Sequence, residues 1–224
     1  MLQLLGYSNS NKTEIQQKVW EFARTMYFDA TPEHIEVLQN SENFDWGDCI
    51  DWIVNRLVID ISELKFTEIL QKEIYGSVDA VSWLDRVIDF LQHNSDYKHL
   101  LESEEYPIIP NQSGDFCVKS HLYTDDEIPS ELKDVIKALN LNWYNELLNK
   151  NIYLELQGRN RGKKEAATEI DRIFKEYRDS KQKPEFVNAW RTLLKWFREQ
   201  NDEYVRDNFD WIYRHKADLS LAIM

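Results

Sequence analysis

The chain has 224 residues and a formal charge of −13, with 42% hydrophobic and 30% charged side chains. This balance excludes a disordered chain, and the negative field disfavours binding to nucleic acid or to an anionic membrane. No apolar run approaches the ~20 residues of a membrane-spanning helix, and the first residues lack the basic region of a signal peptide. The two cysteines, Cys49 and Cys117, make no disulfide framework, so the sequence predicts a cytoplasmic protein.

The first hundred residues are predicted to form five helices. Apolar side chains recur there every three or four residues, which is the period of an amphipathic helix. The stretches are 12–28, 31–40, 48–61, 62–76 and 77–94. Thr31 and Pro32 are typical of a helix start, and Gly76 is typical of a helix end.

An extended segment then interrupts the helical pattern. Pro107 and Pro110 bracket two isoleucines, and proline is compatible only with an edge strand because it donates no hydrogen bond to a sheet. Residues 111–114, Asn-Gln-Ser-Gly, have the composition of a turn, and Phe116 follows in an alternating pattern. The segment is therefore predicted to be a small β-hairpin near residues 106–119, with Phe116 packed on the helices. Its expected structural residues are Pro110, Asn111, Gln112, Gly114 and Phe116.

Helical periodicity resumes after the hairpin, in the stretches 129–140, 142–152, 165–180, 184–200 and 203–224. The predicted fold class is therefore mainly α, a multi-helix bundle with one small β-hairpin. We expect an N-terminal helical bundle over residues 1–103, followed by the β-hairpin plus C-terminal helices over residues 104–224. Two separate domains and one continuous domain both fit the pattern. The eight tryptophans fall mostly on or beside apolar stripes, which favours core packing.

The sequence "GRNRGKK", Gly158–Lys164, partly matches a phosphate-binding loop. Such a loop needs four residues between its glycines and a hydroxyl after its lysine. Here three residues separate the glycines, and Lys164 stands where the hydroxyl belongs. A solvated basic turn is the favoured interpretation, and a phosphate site made of Arg159, Arg161, Lys163 and Lys164 is the alternative.

Other reactive side chains have ordinary structural interpretations. The five histidines show no metal-site spacing, and Cys117 with His121 is a weak candidate for a nucleophile pair. The carboxylates Asp125, Asp126 and Glu127 precede a predicted helix, where its dipole favours acidic side chains, and magnesium binding is the alternative. The sequence therefore predicts no catalytic residue, no metal ligand and no cofactor.

The stretch between residues 107 and 139 resembles an element of a known family. It contains I-P-N-Q-x-G-x-F, then L-Y, then I-P-x-E-L. In this element the chain is similar to the large sacsin-like proteins and their bacterial relatives, which are built on a histidine-kinase-type ATPase domain and are often called heat-shock-protein-90-like. The matching residues are Ile109, Pro110, Asn111, Gln112, Gly114, Phe116, Leu122, Tyr123, Ile128, Pro129, Glu131 and Leu132.

The resemblance implies a helical segment outside the ATPase domain of such a protein. The D-x-G-x-G-type nucleotide motif of that domain is missing, since "DWGD" at Asp45 lacks the second glycine. We therefore expect a non-catalytic module that mediates protein–protein interaction or conformational coupling, with other domains of the parent protein or client proteins as its partners. A nucleotide- or phosphate-binding domain is the second hypothesis, and a nucleic-acid scaffold, which the net charge disfavours, is the third.

Overall fold

The computed structural model describes residues 46–71, 79–176 and 183–221. The helices predicted over 12–28 and 31–40, and the helix end predicted at Gly76, lie outside these residues. The described residues form two compact units. The first unit contains 46–71, 79–110, 114–120 and 151–155, and the second contains 111–113, 121–150, 156–176 and 183–221.

The first unit contains four helices among its described residues. They are α1 (Trp46–Ser62), α2 (Phe66–Ile69), α3 (Ala80–His93) and α4 (Lys98–Leu101). The buried side chains of α1 follow the predicted stripe: Ile50, Ile53, Val54, Leu57, Val58 and Ile61. The helix predicted over 62–76 is wrong at its start, because α1 continues to Ser62 and Lys65 is extended before α2.

Helix α3 begins where the sequence places a capping residue. The side chain of Asp79 accepts hydrogen bonds from the amide N–H groups of Val81 and Ser82. These bonds satisfy donors that the first helical turn leaves without partners. One face of α3 then fills the core with Ala80, Trp83, Leu84, Val87, Ile88 and Leu91.

The predicted β-hairpin is present and short. Strand β1 (Ile109–Pro110) pairs antiparallel with β2 (Phe116–Cys117), and Pro110 faces Phe116. Gly114 has φ +85, a backbone conformation that favours glycine. The ring of Phe116 meets Phe66 edge-on at 5.8 Å, so Phe116 packs on a helix as expected. The strands belong to the first unit, which therefore continues beyond residue 103, and turn residues 111–113 belong to the second.

The second unit contains six helices in its described part: α5 (Ser130–Leu139), α6 (Leu141–Asn145), α7 (Lys163–Glu176), α8 (Pro184–Phe197), α9 (Asp202–Asn208) and α10 (Asp210–Leu221). Apolar faces of these helices form one core, which includes Leu132, Ile136, Ala167, Ile170, Phe174, Phe186, Trp190, Leu193, Phe209 and Ile212. The mainly helical fold class is confirmed. None of the described helices has the length and apolar character needed to cross a membrane.

Three features of the second unit differ from the predictions. The helix predicted over 142–152 ends at Asn145, because Leu147 and Leu148 make β-bridges instead. The helix predicted over 203–224 is broken at Phe209, which is buried and non-helical. A parallel pair of strands, β3 (Thr124–Asp126) with β4 (Asn160–Gly162), adds a second small sheet.

Candidate functional site

The turn of the hairpin, residues 111–113, is held by hydrogen bonds that its own side chains form with residues of the second unit. Asn111 is only 1% exposed, and its side-chain amide donates to the carbonyl of Asn145 at 2.8 Å. Its carbonyl oxygen accepts the amide N–H of Ser113 at 2.9 Å, which closes the turn locally. The Ser113 hydroxyl donates to the side chain of Asn145. Both the NH₂ group and the carbonyl oxygen of the Asn111 side chain therefore form hydrogen bonds within the protein.

Gln112 links the turn to β3. Its side-chain amide donates to the carboxylate of Asp125 at 2.7 Å and to the carbonyl of Leu148 at 3.3 Å. Its main-chain N–H donates to the carbonyl of Leu147 at 2.8 Å. Residues 111–113 thus enter the second unit through hydrogen bonds. We call Asn111, Gln112, Ser113, Asp125 and Lys133 the turn cluster.

Asp125 is the electrostatic centre of the turn cluster. Its side chain is 3% exposed and accepts from Lys133 at 2.6 Å and from the N–H of Ile128 at 2.9 Å. The ammonium of Lys150 lies 3.5 Å from the same carboxylate. Burial opposes ionisation of Asp125, but the hydrogen bonds from Lys133, Gln112 and Ile128 outweigh it and hold the pKa below its ordinary value. Burial lowers the pKa of Lys133, and Asp125 opposes that shift.

The acidic triplet is not arranged as the sequence suggested. Asp125 and Asp126 lie in β3 and not at a helix terminus, and Glu127 has φ 53 between the strand and α5. Asp125 binds a turn amide and two lysines, whereas Asp126 and Glu127 are exposed. The described residues contain no group of three or more histidine, cysteine or acidic side chains that could hold a metal ion.

Arg161 lies between two aromatic rings. Its guanidinium carbon is 3.8 Å from the ring centroid of Tyr123 and 4.3 Å from that of Trp143. It donates to the carbonyl of Trp143 at 2.8 Å and forms an ion pair with Glu146. Its side chain is 12% exposed, so it is not the solvated arginine expected of a basic turn. This geometry suits a structural cation–π contact.

Lys163 is held by a second set of aromatic side chains. Its ammonium donates to the side chain of Gln200 at 3.0 Å and lies 4.0 Å from the ring of Tyr204 and 5.1 Å from that of Trp196. The hydroxyl of Tyr204 is buried and has no hydrogen-bond partner among the described residues. Burial raises the pKa of Tyr204.

The remaining parts of the basic stretch do not form a phosphate cradle. Gly158 and Gln157 take positive φ, and Asn160–Gly162 is strand β4. The amide N–H of Gly162, at the start of α7, donates to the carboxylate of Glu165 at 2.9 Å. Lys164 is exposed, and Arg159 donates to the carbonyl of Leu156. The structure thus directs Arg161 and Lys163 to separate aromatic sets.

The remaining candidates are Cys117, His121 and a small pocket. Cys117 is half-buried on β2, and His121 is exposed at the end of a 3₁₀ turn. A pocket of about 220 Å³ lies between the end of α5 and the start of α8. It is smaller than the roughly 300–1,000 Å³ of most small-molecule sites. Its lining is Ala138, Leu139, Lys183, Glu185 and Phe186.

Sequence reasoning singled out the turn but missed its partners. The spacing of Asp125 and Lys133 carries no helical or strand signal, because one residue is in β3 and the other in α5. Tyr123 and Trp143, which enclose Arg161, are 38 and 18 residues from it in the chain. Such contacts become visible only when the fold brings the elements together.

Comparisons with known proteins give no match: no protein-family model, no curated protein and no solved structure is significantly similar to this chain.

Proposed function

We propose that the chain is a non-catalytic helical module of a chaperone-like, ATPase-linked multidomain protein, and that it mediates protein–protein interaction or conformational coupling. The family part of the proposal rests on the resemblance between residues 107 and 139. The assignment as a non-catalytic module rests on the hydrogen bonds that the polar groups of that same stretch form. Its partners would be other domains of the parent protein or client proteins.

One observation carries the non-catalytic assignment. Two well-buried polar side chains of the resembling stretch, those of Asn111 and Asp125, form their hydrogen bonds within the protein itself. Active sites instead aim perturbed groups into a cleft where a substrate can reach them. The turn cluster has the character of a structural joint, in which buried polar groups fix one arrangement of the chain.

The phosphate-binding alternative gains no support from the geometry. Two of its four cations, Arg161 and Lys163, are committed to aromatic rings and to Glu146 and Gln200. The helix N-terminus that would face a phosphate already binds the Glu165 carboxylate.

The test is a paired measurement of phosphate release and thermal stability with magnesium and ATP. We expect no phosphate release above the protein-free blank and no rise in Tm. A ligand at 100 times its Kd would add about 2.7 kcal/mol to the stability of the folded state, so binding would be visible. A saturable rise in Tm that Lys164→Ala abolishes and Lys195→Ala retains would support the alternative. Hydrolysis of ATP that Lys163→Ala removes, while the variant stays folded by circular dichroism, would overturn the proposal.

A further inference from the structure

Negative charge is concentrated in one of the two units. The described residues of the first unit carry 14 carboxylate side chains and 5 lysines and arginines, a net charge of −9. The described residues of the second unit carry 17 carboxylate side chains and 16 lysines and arginines, a net charge of −1. A positively charged partner is therefore attracted more strongly to the first unit than to the second.

On the first unit, the segment that carries an exposed tyrosine lies beside acidic residues of α3. The segment 151–155 runs beside α3, where the amide N–H of Tyr153 donates to Asp85 at 2.7 Å and that of Glu155 donates to Gln92 at 2.7 Å. Asp89 lies one turn after Asp85, on the same face of α3. The acidic tyrosine face is defined here as Asp85, Asp89, Tyr153 and Glu155.

Three side chains of this face, those of Asp89, Tyr153 and Glu155, are exposed to solvent, and Asp85 is half-buried. Tyr153 is 65% exposed, more than the other exposed large hydrophobic residues of the described chain, and the side chain of Asp89 is 57% exposed. Neighbouring Ile152 and Leu154 are buried, so the segment is held in place while its alternate side chains point outward. A ring on an ordered backbone can be contacted at little entropic cost.

We propose that the acidic tyrosine face binds a basic, arginine-bearing segment of a partner protein. Arginine matches the face in two ways, because its guanidinium stacks on an aromatic ring and its charge pairs with carboxylates. This inference rests on the proposed function and specifies the chemistry of the partner. The basic stretch of the chain itself is unsuited as the occupant, because Arg161 and Lys163 are engaged by second-unit residues.

Other occupants fit the charge poorly. Nucleic acids and anionic membranes would be repelled by the field of the first unit. A second copy of this chain carries the same net charge of −13 and would bring like charges together. A cationic protein segment is the class whose charge complements this face.

The test is fluorescence anisotropy of the full chain with a short labelled peptide of alternating arginine and serine. It is measured at about 0.01 M and about 0.15 M ionic strength, where the Debye length is about 30 Å and about 8 Å. The pH is held constant across the series, because His93 contacts the Asp89 carboxylate at 3.1 Å. We expect saturable binding that weakens with salt. A peptide with glutamate in place of arginine should not bind.

The variants locate the binding. Tyr153→Ala should weaken arginine-peptide binding about three- to tenfold, through the lost cation–π contact and ring surface. Asp89→Asn combined with Glu155→Gln should weaken it by a further two- to fivefold, roughly the effect of exposed ion pairs. The matched controls in the second unit are Leu141→Ala, which removes another exposed apolar side chain, and Asp218→Asn.

The outcomes separate this proposal from the proposed function. Loss of affinity in the face variants, with both controls unchanged, supports the site. No binding at low salt, or equal losses in the face variants and the controls, overturns it. Neither result depends on the ATP measurements, so the non-catalytic assignment can stand or fall by itself.

Discussion

Lys133 on α5 donates a 2.6 Å hydrogen bond to Asp125 on β3, and the two side chains are 11% and 3% exposed. This pair joins a helix to the small parallel sheet within the second unit. The same carboxylate also receives Gln112 from the hairpin turn. A single side chain therefore connects the turn, the strand and the helix.

Replacing Asp125 by alanine should strongly destabilise the protein. The substitution leaves the ammonium of Lys133 buried without its carboxylate and removes the acceptor of Gln112 and Ile128. Breaking one side of a buried ion pair costs about 3–5 kcal/mol. Chemical denaturation should show this loss as a lower midpoint with an unchanged slope.

Two further variants test whether the unpaired lysine causes that loss. Asp125→Ala combined with Lys133→Met should be more stable than Asp125→Ala alone, because no buried charge is then left unpaired. Asp126→Ala, at the exposed neighbouring position, should change stability by less than about 0.5 kcal/mol. If the double variant recovers nothing, the pair is not what stabilises this region.

Asp125 should also affect the acid stability of the protein. Its folded-state pKa lies below the ordinary value of 3.8, so the folded protein binds this proton less readily than the unfolded chain does. Its contribution to the free energy of unfolding is therefore full above the ordinary pKa and is lost as pH falls through 3.8 towards the folded-state pKa.

The measurement compares wild type with Asp125→Asn by urea denaturation, from about pH 6 down to about pH 3. The stability of the wild type should fall more steeply, so the difference between the proteins narrows with acid. Other carboxylates, including Asp171, whose pKa burial raises, titrate in both proteins and cancel in the difference. A constant difference over this range would contradict the lowered pKa of Asp125.

Arg161→Lys should destabilise the second unit although it keeps the charge. A lysine ammonium cannot lie flat between Tyr123 and Trp143 while also donating to Glu146 and to the Trp143 carbonyl. We expect a loss of about 1–3 kcal/mol, from stacking and one charge-assisted hydrogen bond. Denaturation followed by tryptophan fluorescence measures it, and Arg191→Lys on the exposed face of α8 is the control. Equal stabilities of the two variants would argue against the stacked arrangement.

The sequence specified the elements whose signals are local. The stripes of α1, α3 and α5 follow the helical period, and the hairpin is marked by Pro110 and Gly114. The predictions for these elements are confirmed because local propensity and the burial of an apolar face favour the same structure. The fold class therefore followed from the sequence.

The elements that were missed depend on distant partners. Strands β3 (Thr-Asp-Asp) and β4 (Asn-Arg-Gly) are three residues each, with no alternating apolar side chains to mark them. The break before α10 occurs within a continuing helical pattern, and its first amides are capped from α7 by Asp171, which accepts the N–H groups of Trp211 and Ile212. The aromatic pair around Arg161 is equally non-local. Local periodicity carries no information about such contacts.

Gly114→Ala should destabilise the hairpin through its backbone and not through a clash. The φ of +85 is costly for a side-chain-bearing residue, whereas an added Cβ would lie 3.8 Å from the ring of Phe66, an ordinary contact distance. The expected loss is about 1–2 kcal/mol for alanine and less for asparagine, which tolerates positive φ better. Chemical denaturation of wild type, Gly114→Ala and Gly114→Asn orders the three stabilities. Alanine equal to glycine would show that the turn can rearrange to negative φ at no cost, and alanine better than asparagine would contradict a left-handed backbone at this position.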